Sequence, residues 1–153
     1  MARFWLALLI VAVAACSLSC GPTRPPGARP TKKVSVIVTY KGTPVQGATV
    51  AFVNQDGESP SANGLTDAQG KAKLRTYIDG DGATLGTHKV IIEKSEAVGG
   101  QTVGPEDPKY DPNAPPATVK YHLPQKYNNI ATSGLTAEVK ENGPSEFTFD
   151  LKD

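Results

Sequence analysis

Apolar and polar residues alternate with a period of two along most of this chain. Over 33–40, Val34, Val36, Val38 and Tyr40 fall on one side against Ser35, Ile37 and Thr39, which predicts a strand with one strongly apolar face. Lys41-Gly42-Thr43-Pro44 turns the chain, and 48–53 form a second strand whose Val50 and Phe52 share a face. After Asp56-Gly57 and a polar stretch over 58–63 come Gly64-Leu65-Thr66 and the turn Asp67-Ala68-Gln69-Gly70. Between Lys71 and Tyr77, Ala72, Leu74 and Thr76 alternate with Lys71, Lys73 and Arg75, so three cations occupy a solvated face. The pattern breaks at Asp79-Gly80-Asp81-Gly82 and Gly86 and resumes over 87–94 around Val90, Ile91 and Ile92. Near the C-terminus Leu135, Ala137 and Val139 alternate with Thr136, Glu138 and Lys140. Asn142-Gly143 then turns into 146–152, where Phe147, Phe149 and Leu151 face one way.

Six or seven short strands with turns between them, and no helix of useful length, predict an all-β fold. The apolar faces of two antiparallel sheets must cover each other, so the architecture expected is a single β-sandwich of about seven strands. Strand phase names its core as Val36, Val38, Val50, Phe52, Leu74, Val90, Ile92, Val139, Phe147 and Phe149.

Two stretches lack periodicity. Residues 17–31 hold four prolines and two glycines and read as an extended, disordered tether. Residues 96–126 hold six of the thirteen prolines and read as an insertion over the surface, whose prolines forbid regular pairing. Within it Tyr110, Tyr121 and His122 supply amphipathic contact groups, suited to docking a protein partner along an exposed loop. The alternative is a mobile spacer.

The first twenty residues set the destination of the chain. Arg3 gives a positive start, and Phe4 to Ala15 form an unbroken apolar run of twelve residues. At about 1.5 Å per residue that run reaches only about 18 Å, short of the roughly 30 Å hydrocarbon core, so it reads as a cleaved secretory leader. Val13-Ala14-Ala15-Cys16 resembles a bacterial lipobox, whose cysteine becomes the lipidated first residue of the mature chain. Cys20 is the alternative, with Ser17-Leu18-Ser19 a poorer approach to it. Ordinary cleavage followed by a Cys16 to Cys20 disulfide is the remaining reading. The expected organisation is therefore a leader over 1–15, a lipidated cysteine and tether over 16–31, and the domain over 32–153.

Composition narrows the partners. Loss of the leader removes Arg3 from the sixteen basic residues and leaves fifteen against fifteen acidic ones. This balance offers no footprint for nucleic acid. Trp5, the one tryptophan, goes with the leader, which leaves a sugar site only tyrosines and phenylalanines for a platform.

The run Val34 to Tyr40, Gly42-Thr43-Pro44-Val45-Gln46-Gly47-Ala48-Thr49-Val50, Gly64-Leu65-Thr66-Asp67-Ala68-Gln69-Gly70, Tyr77 to Gly82 and Gly86 to Val90 resembles the carboxypeptidase regulatory-like and transthyretin-like modules. Leu123 to Tyr127 and Thr132 to Thr136, together with the lipobox, are similar to small lipoproteins of planctomycete-type bacteria. The resemblance implies a prealbumin-like Greek-key sandwich, usually non-catalytic, and names no ligand or cofactor.

The residues that bear chemistry are sparse. His88 and His122 lie outside any H-x-H, H-x-x-x-H or His-Cys cluster, and His88 is expected at a sheet edge. Asp79-Gly80-Asp81-Gly82 lacks the third oxygen ligand and distal glutamate of a calcium loop and reads as a tight turn. Purine-breakdown hydrolases of the transthyretin-like group end in Tyr-Arg-Gly-Ser, where this chain has Phe149 to Asp153. Intradiol dioxygenases bind iron with two tyrosines and two histidines, and this chain has Tyr40, Tyr77, Tyr110, Tyr121 and Tyr127 beside its two histidines. Lys33 and Asp150 are the one pair placed for an isopeptide link, but Asp150 is out of phase with Phe149 and Leu151 and should face water.

The expectation is a lipid-anchored, non-enzymatic module on the periplasmic face of a bacterial cell envelope, with no cofactor. Its partners would be the bilayer, through the acyl anchor, and an envelope protein. Ser17 after Cys16 points to the outer membrane. The alternative is a periplasmic small-ligand or carbohydrate-binding module.

Overall fold

The computed structural model describes residues 23–101 and 103–153. The leader, Cys16 and Cys20 lie outside the described residues. Twelve strands are present among those described, in the order β1 (Thr31–Lys32), β2 (Ser35–Tyr40), β3 (Thr43–Pro44), β4 (Thr49–Asn54), β5 (Ala62–Leu65), β6 (Lys71–Lys73), β7 (Ala83–Thr84), β8 (Gly86–Glu93), β9 (Ser95–Val98), β10 (Thr118–Tyr121), β11 (Leu135–Val139) and β12 (Glu146–Leu151). One turn of 3-10 helix, Gln125–Asn128, precedes β11. Among the described residues no helix is long and apolar enough to cross a membrane.

The chain is all-β, and its two four-stranded sheets form a β-sandwich. One sheet runs β11-β8-β4-β5 and is antiparallel throughout. The other is built on β2. One edge of β2 pairs with β6 through Ser35 to Ile37 and with β3 through Thr39 and Tyr40. Its opposite edge takes β12 in parallel, Glu146 beside Ser35 through Leu151 beside Tyr40. This corrects the expectation of two purely antiparallel sheets: parallel neighbours need a long crossover, and here the rest of the domain supplies it.

Strands β2, β4, β8, β11 and β12 turn alternate residues inward, as a half-solvated sheet requires. Val36 and Val38, Val50 and Phe52, Val90 and Ile92, and Val139 are all buried, with Leu74 beside them. The two sheets meet at Phe52, whose ring lies 5.8 Å from Phe147 and 6.3 Å from Phe149, both edge-on. Phe147 and Phe149 are only half-buried, contrary to the core assignment. Strand β12 is the outer strand of its sheet, so each ring has a neighbour on one side and water on the other; Leu151 takes the fully buried place.

Close backbone approaches explain two glycines. Gly70 has φ +73°, and a Cβ there would lie 2.4 Å from the Val38 carbonyl oxygen, the site where the Gly70 carbonyl accepts the Val38 N–H at 2.8 Å. Gly82 has φ +86°, and a Cβ would lie 1.7 Å from the Lys32 carbonyl oxygen, where β7 pairs with β1. Only glycine fits such a crossing.

The part of the tether that is described, from Thr23 on, lies against the domain. Arg29 makes ion pairs with Asp56 at 2.7 Å and with Glu58, and its N–H donates to the Tyr77 hydroxyl at 3.2 Å. Arg24 reaches Asp81 at 3.6 Å. Asp56 is preorganised for this contact: its carboxylate accepts from the Ser59 hydroxyl and from the Ser59 and Glu58 amides.

The insertion also differs from the expectation. Ser95 to Val98 pair in register with Thr118 to Tyr121, and the His122 N–H donates to the Lys94 carbonyl at 2.8 Å, so the segment is a β-hairpin arm with a paired stem. The prolines that were expected to forbid pairing lie between Pro105 and Pro116 and at Pro124, and leave the stem free of them. Past the stem, Leu123 and Tyr127 are buried in the core.

Phe52→Ala should cost about 3 to 5 kcal/mol in denaturant unfolding, and Phe149→Ala about 1 to 2, because the second ring already faces water on one side. Equal losses would mean that β12 is covered. The Ser59 hydroxyl, then the Ser59 and Glu58 amides, and then Arg29, hold the Asp56 carboxyl down to about 2 from 3.8. A lowered folded value stabilises the folded turn over 56–59 fully above pH about 4, and that contribution is lost as pH falls through about 2. The Asp56 carboxyl resonance should titrate near 2; a midpoint near 4 would show that the hydrogen bonds from Ser59 and Glu58 are not formed in solution.

Candidate functional site

The arm is the feature in which this molecule exceeds a minimal sandwich. Residues directly opposite in an antiparallel pair share a face. The register therefore places Val98, Thr118, Glu96 and Lys120 on one side of the stem, and Ala97, Val119, Ser95 and Tyr121 on the other. On the first side Glu96 lies 3.5 Å from the Lys120 ammonium and 3.1 Å from the His122 ring, and Val98 is 45% exposed. The second is apolar and open, with Val119 58% and Tyr121 39% exposed.

The tip, 99–101 and 103–117, is shaped by two successive Asp-Pro turns. Asp107 accepts the Lys109 amide through its side chain and the Tyr110 amide through its carbonyl, at 2.8 and 2.9 Å. Asp111 repeats the arrangement with Asn113 and Ala114 at 2.8 and 3.1 Å. Gln101 then clamps the two limbs, its amide nitrogen donating to the Asp111 carbonyl and its oxygen accepting the Asp111 N–H, both at 2.8 Å.

The three contact residues named from sequence are thus separated. Tyr110 stands in the tip at 37% exposure. Tyr121 lies on the open face of the stem. His122 turns to the Glu96 side and lines a cleft of 320 Å³ against Tyr40, Pro44, Lys94 and Leu123. Val119 was missed, since an exposed valine in a proline-rich stretch carries no periodic signal until its strand is paired.

His88 corrects the sheet-edge expectation. It sits in β8, a central strand, fully buried, with its ring 5.7 Å from Phe52. Its Nε2 lies 2.9 Å from the Thr84 carbonyl oxygen and so carries the proton; Nδ1 has no partner among the described residues. Asn54, paired opposite His88, donates to the Thr84 hydroxyl at 3.1 Å and to the Leu85 carbonyl at 3.2 Å. This buried polar cluster locks β7 to the end of the sandwich.

The tyrosines are likewise engaged apart from one another. Tyr127 donates its hydroxyl to the Lys152 carbonyl at 3.0 Å and accepts the Lys152 N–H at 3.1 Å. Tyr77 serves the tether and Tyr40 donates to Asp153. The carboxylates of Asp79 and Asp81 diverge, Asp79 outward to Arg75 at 2.9 Å and Asp81 inward to the Thr76 and Tyr77 amides at 2.8 and 3.2 Å. The segment is a capped turn. Among the described residues no three His, Cys, Asp or Glu side chains gather into a metal-holding group.

Asp150 faces water as its phase required. It accepts the Thr39 hydroxyl at 2.9 Å and the Gly42 N–H at 3.2 Å, which hold its carboxyl below the usual range. Asp150 is registered with Thr39, six residues along the strand direction from Lys33, or roughly 20 Å. An isopeptide link between them has no geometry.

Comparison of the chain with protein-family models, with curated proteins and with solved structures gives no match.

His88→Ala should cost about 2 to 4 kcal/mol, because it empties a core position and orphans the Thr84 carbonyl. His122→Ala should stay within about 0.5 kcal/mol of the parent, since a solvent-facing polar contact contributes little. Urea unfolding of both variants checks the pair; a reversed order would place the structural histidine on the arm.

Proposed function

We propose that this chain is a membrane-anchored exported lipoprotein of the bacterial cell envelope, on its periplasmic face. Its β-sandwich is non-catalytic and serves as a protein-interaction module, offering the arm to an envelope protein. One observation carries the reading: an amphipathic two-stranded stem whose apolar face, Ala97, Val119 and Tyr121, is uncovered. A two-stranded ribbon is marginal alone in water. Among the described residues β9 and β10 pair only with each other, so each also has an outer edge open to an added strand. A partner that covers the Val119 face, or extends the ribbon along one edge, supplies what the arm lacks.

The anchoring part of the reading is supported by the leader's length and by the small residues before Cys16, with Cys20 as the alternative. Three acyl chains hold a domain far more firmly than one. Ser17 after Cys16 favours the outer membrane. The kinship with carboxypeptidase regulatory-like modules is supported by their motif glycines standing at left-handed positions here, Gly42 and Gly47 in the first hairpin and Gly70 in the Thr66 to Gly70 turn.

Cross-linking in intact cells tests both parts at once. The parent should sediment with membranes and give a discrete cross-linked species. Val119→Ser combined with Tyr121→Ser should remove that species at unchanged melting temperature, while Cys16→Ser should release the protein into the soluble fraction. If only Cys20→Ser releases it, the anchor is Cys20. Retention of the cross-linked species by the double variant ends the docking role of the arm, and membrane retention by both cysteine variants ends the anchor.

A further inference from the structure

The loop between Arg75 and β7 borders a second surface that the arm does not use. Three adjoining depressions, of 470, 450 and 360 Å³, all contain Asp79 and Gly80 in their walls and so form one track. The basic residues along it are Arg24, Lys33, Lys73 and Arg75. Lys73 opposes Ser35 in the sheet and Lys33 precedes Ser35 by two residues, so both project from the outer face of the β2 sheet.

The two arginines are already paired. Arg75 holds Asp79 at 2.9 Å and Arg24 stands 3.6 Å from Asp81. Both carboxylates of the track are thereby used. Lys33 and Lys73 have no ion-pair or hydrogen-bond partner among the described residues, so a chain of net charge only +1 carries a local excess of two positive charges here. A surface of this kind takes multivalent oxyanions, above all phosphate.

Two sources of phosphate exist, a soluble anion and a lipid headgroup, and the place of the track decides between them. Arg24 lies on its rim, eight residues from Cys16. At about 3.3 to 3.6 Å per residue the track stays within about 30 Å of an anchor at Cys16, and nearer for Cys20. Such a tether keeps the lysines at high effective concentration beside the bilayer, whose anionic headgroups attract basic side chains over about a Debye length. The docked segment around Arg29 prevents the tether from carrying the track away.

We propose that Lys33 and Lys73 dock the domain on phosphate groups of anionic lipids in the membrane that holds its anchor. The inference rests on the anchored-lipoprotein reading and deepens it, for it gives the domain a defined orientation. In that orientation the membrane meets the β6 side of the β2 sheet.

The full chain reconstituted in vesicles tests this. One set contains one-third phosphatidylglycerol in phosphatidylcholine, the other phosphatidylcholine alone, and acetylation of each lysine is followed by mass spectrometry. On anionic vesicles Lys33 and Lys73 should react about fivefold more slowly than on neutral ones, while Lys89 and Lys109 react alike on both. High salt should abolish the difference. Equal rates for Lys33 and Lys73 on both vesicles, in a chain that sediments with both, overturn the proposal and leave the anchor standing. Failure to sediment with neutral vesicles overturns the anchor, and protection on anionic ones then still supports the track. Equal protection by inorganic phosphate without vesicles would assign the track to a soluble anion and overturn the lipid docking.

Discussion

Strand β2 carries hydrogen-bonded partners along both edges, and most of the molecule is arranged by that fact. On one side β6 and β3 share its length end to end, with the Gly70 crossing between them. On the other, β12 lies parallel to it over six residues. Since β12 follows β2 by more than a hundred residues, this pairing closes the whole domain into one loop and costs a large closure entropy. The return is the Phe147 and Phe149 edge contacts with Phe52, which fasten one sheet to the other.

The interior is not wholly apolar. At the β7 end of the sandwich the apolar layer gives way to His88, Asn54 and Thr84, buried and bonded to one another or to nearby backbone. A buried polar group without a partner is costly, and the cluster accepts one such atom, Nδ1 of His88, while satisfying the rest. The arrangement holds the β7 strand and, through β1, the start of the domain. The same region receives the docked tether at Asp56, Tyr77 and Asp81, so the chain's entry point is fixed rather than free.

Two surfaces remain for interaction, and they differ in chemistry. The arm offers an apolar strip on a ribbon whose tip is ordered by Asp-Pro turns. The track offers two lysines, Lys33 and Lys73, without a partner among the described residues. They share no residue. Under the proposed anchoring, attachment and recognition would fall on separate surfaces.

Period-two alternation alone located β2, β4, β8, β11 and β12 to within two residues at each end, because burying one face of a strand demands it whatever the partner. It also named eight of the ten core positions correctly and put Asp150 in water. Strand order was beyond it. Whether β12 lies central or outermost, and parallel or antiparallel, depends on pairing across a hundred residues, and so the half-burial of Phe147 and Phe149 was decided only by the assembled sheet. The same holds for His88, whose strand is legible but whose central place is not. Composition described the arm as proline-rich loop, since its stem of eight residues is short, exposed on both faces and lacks the one-sided burial that makes alternation visible. Its apolar face exists only once Val119 stands opposite Ala97, and the basic track exists only once β6 lies against β2.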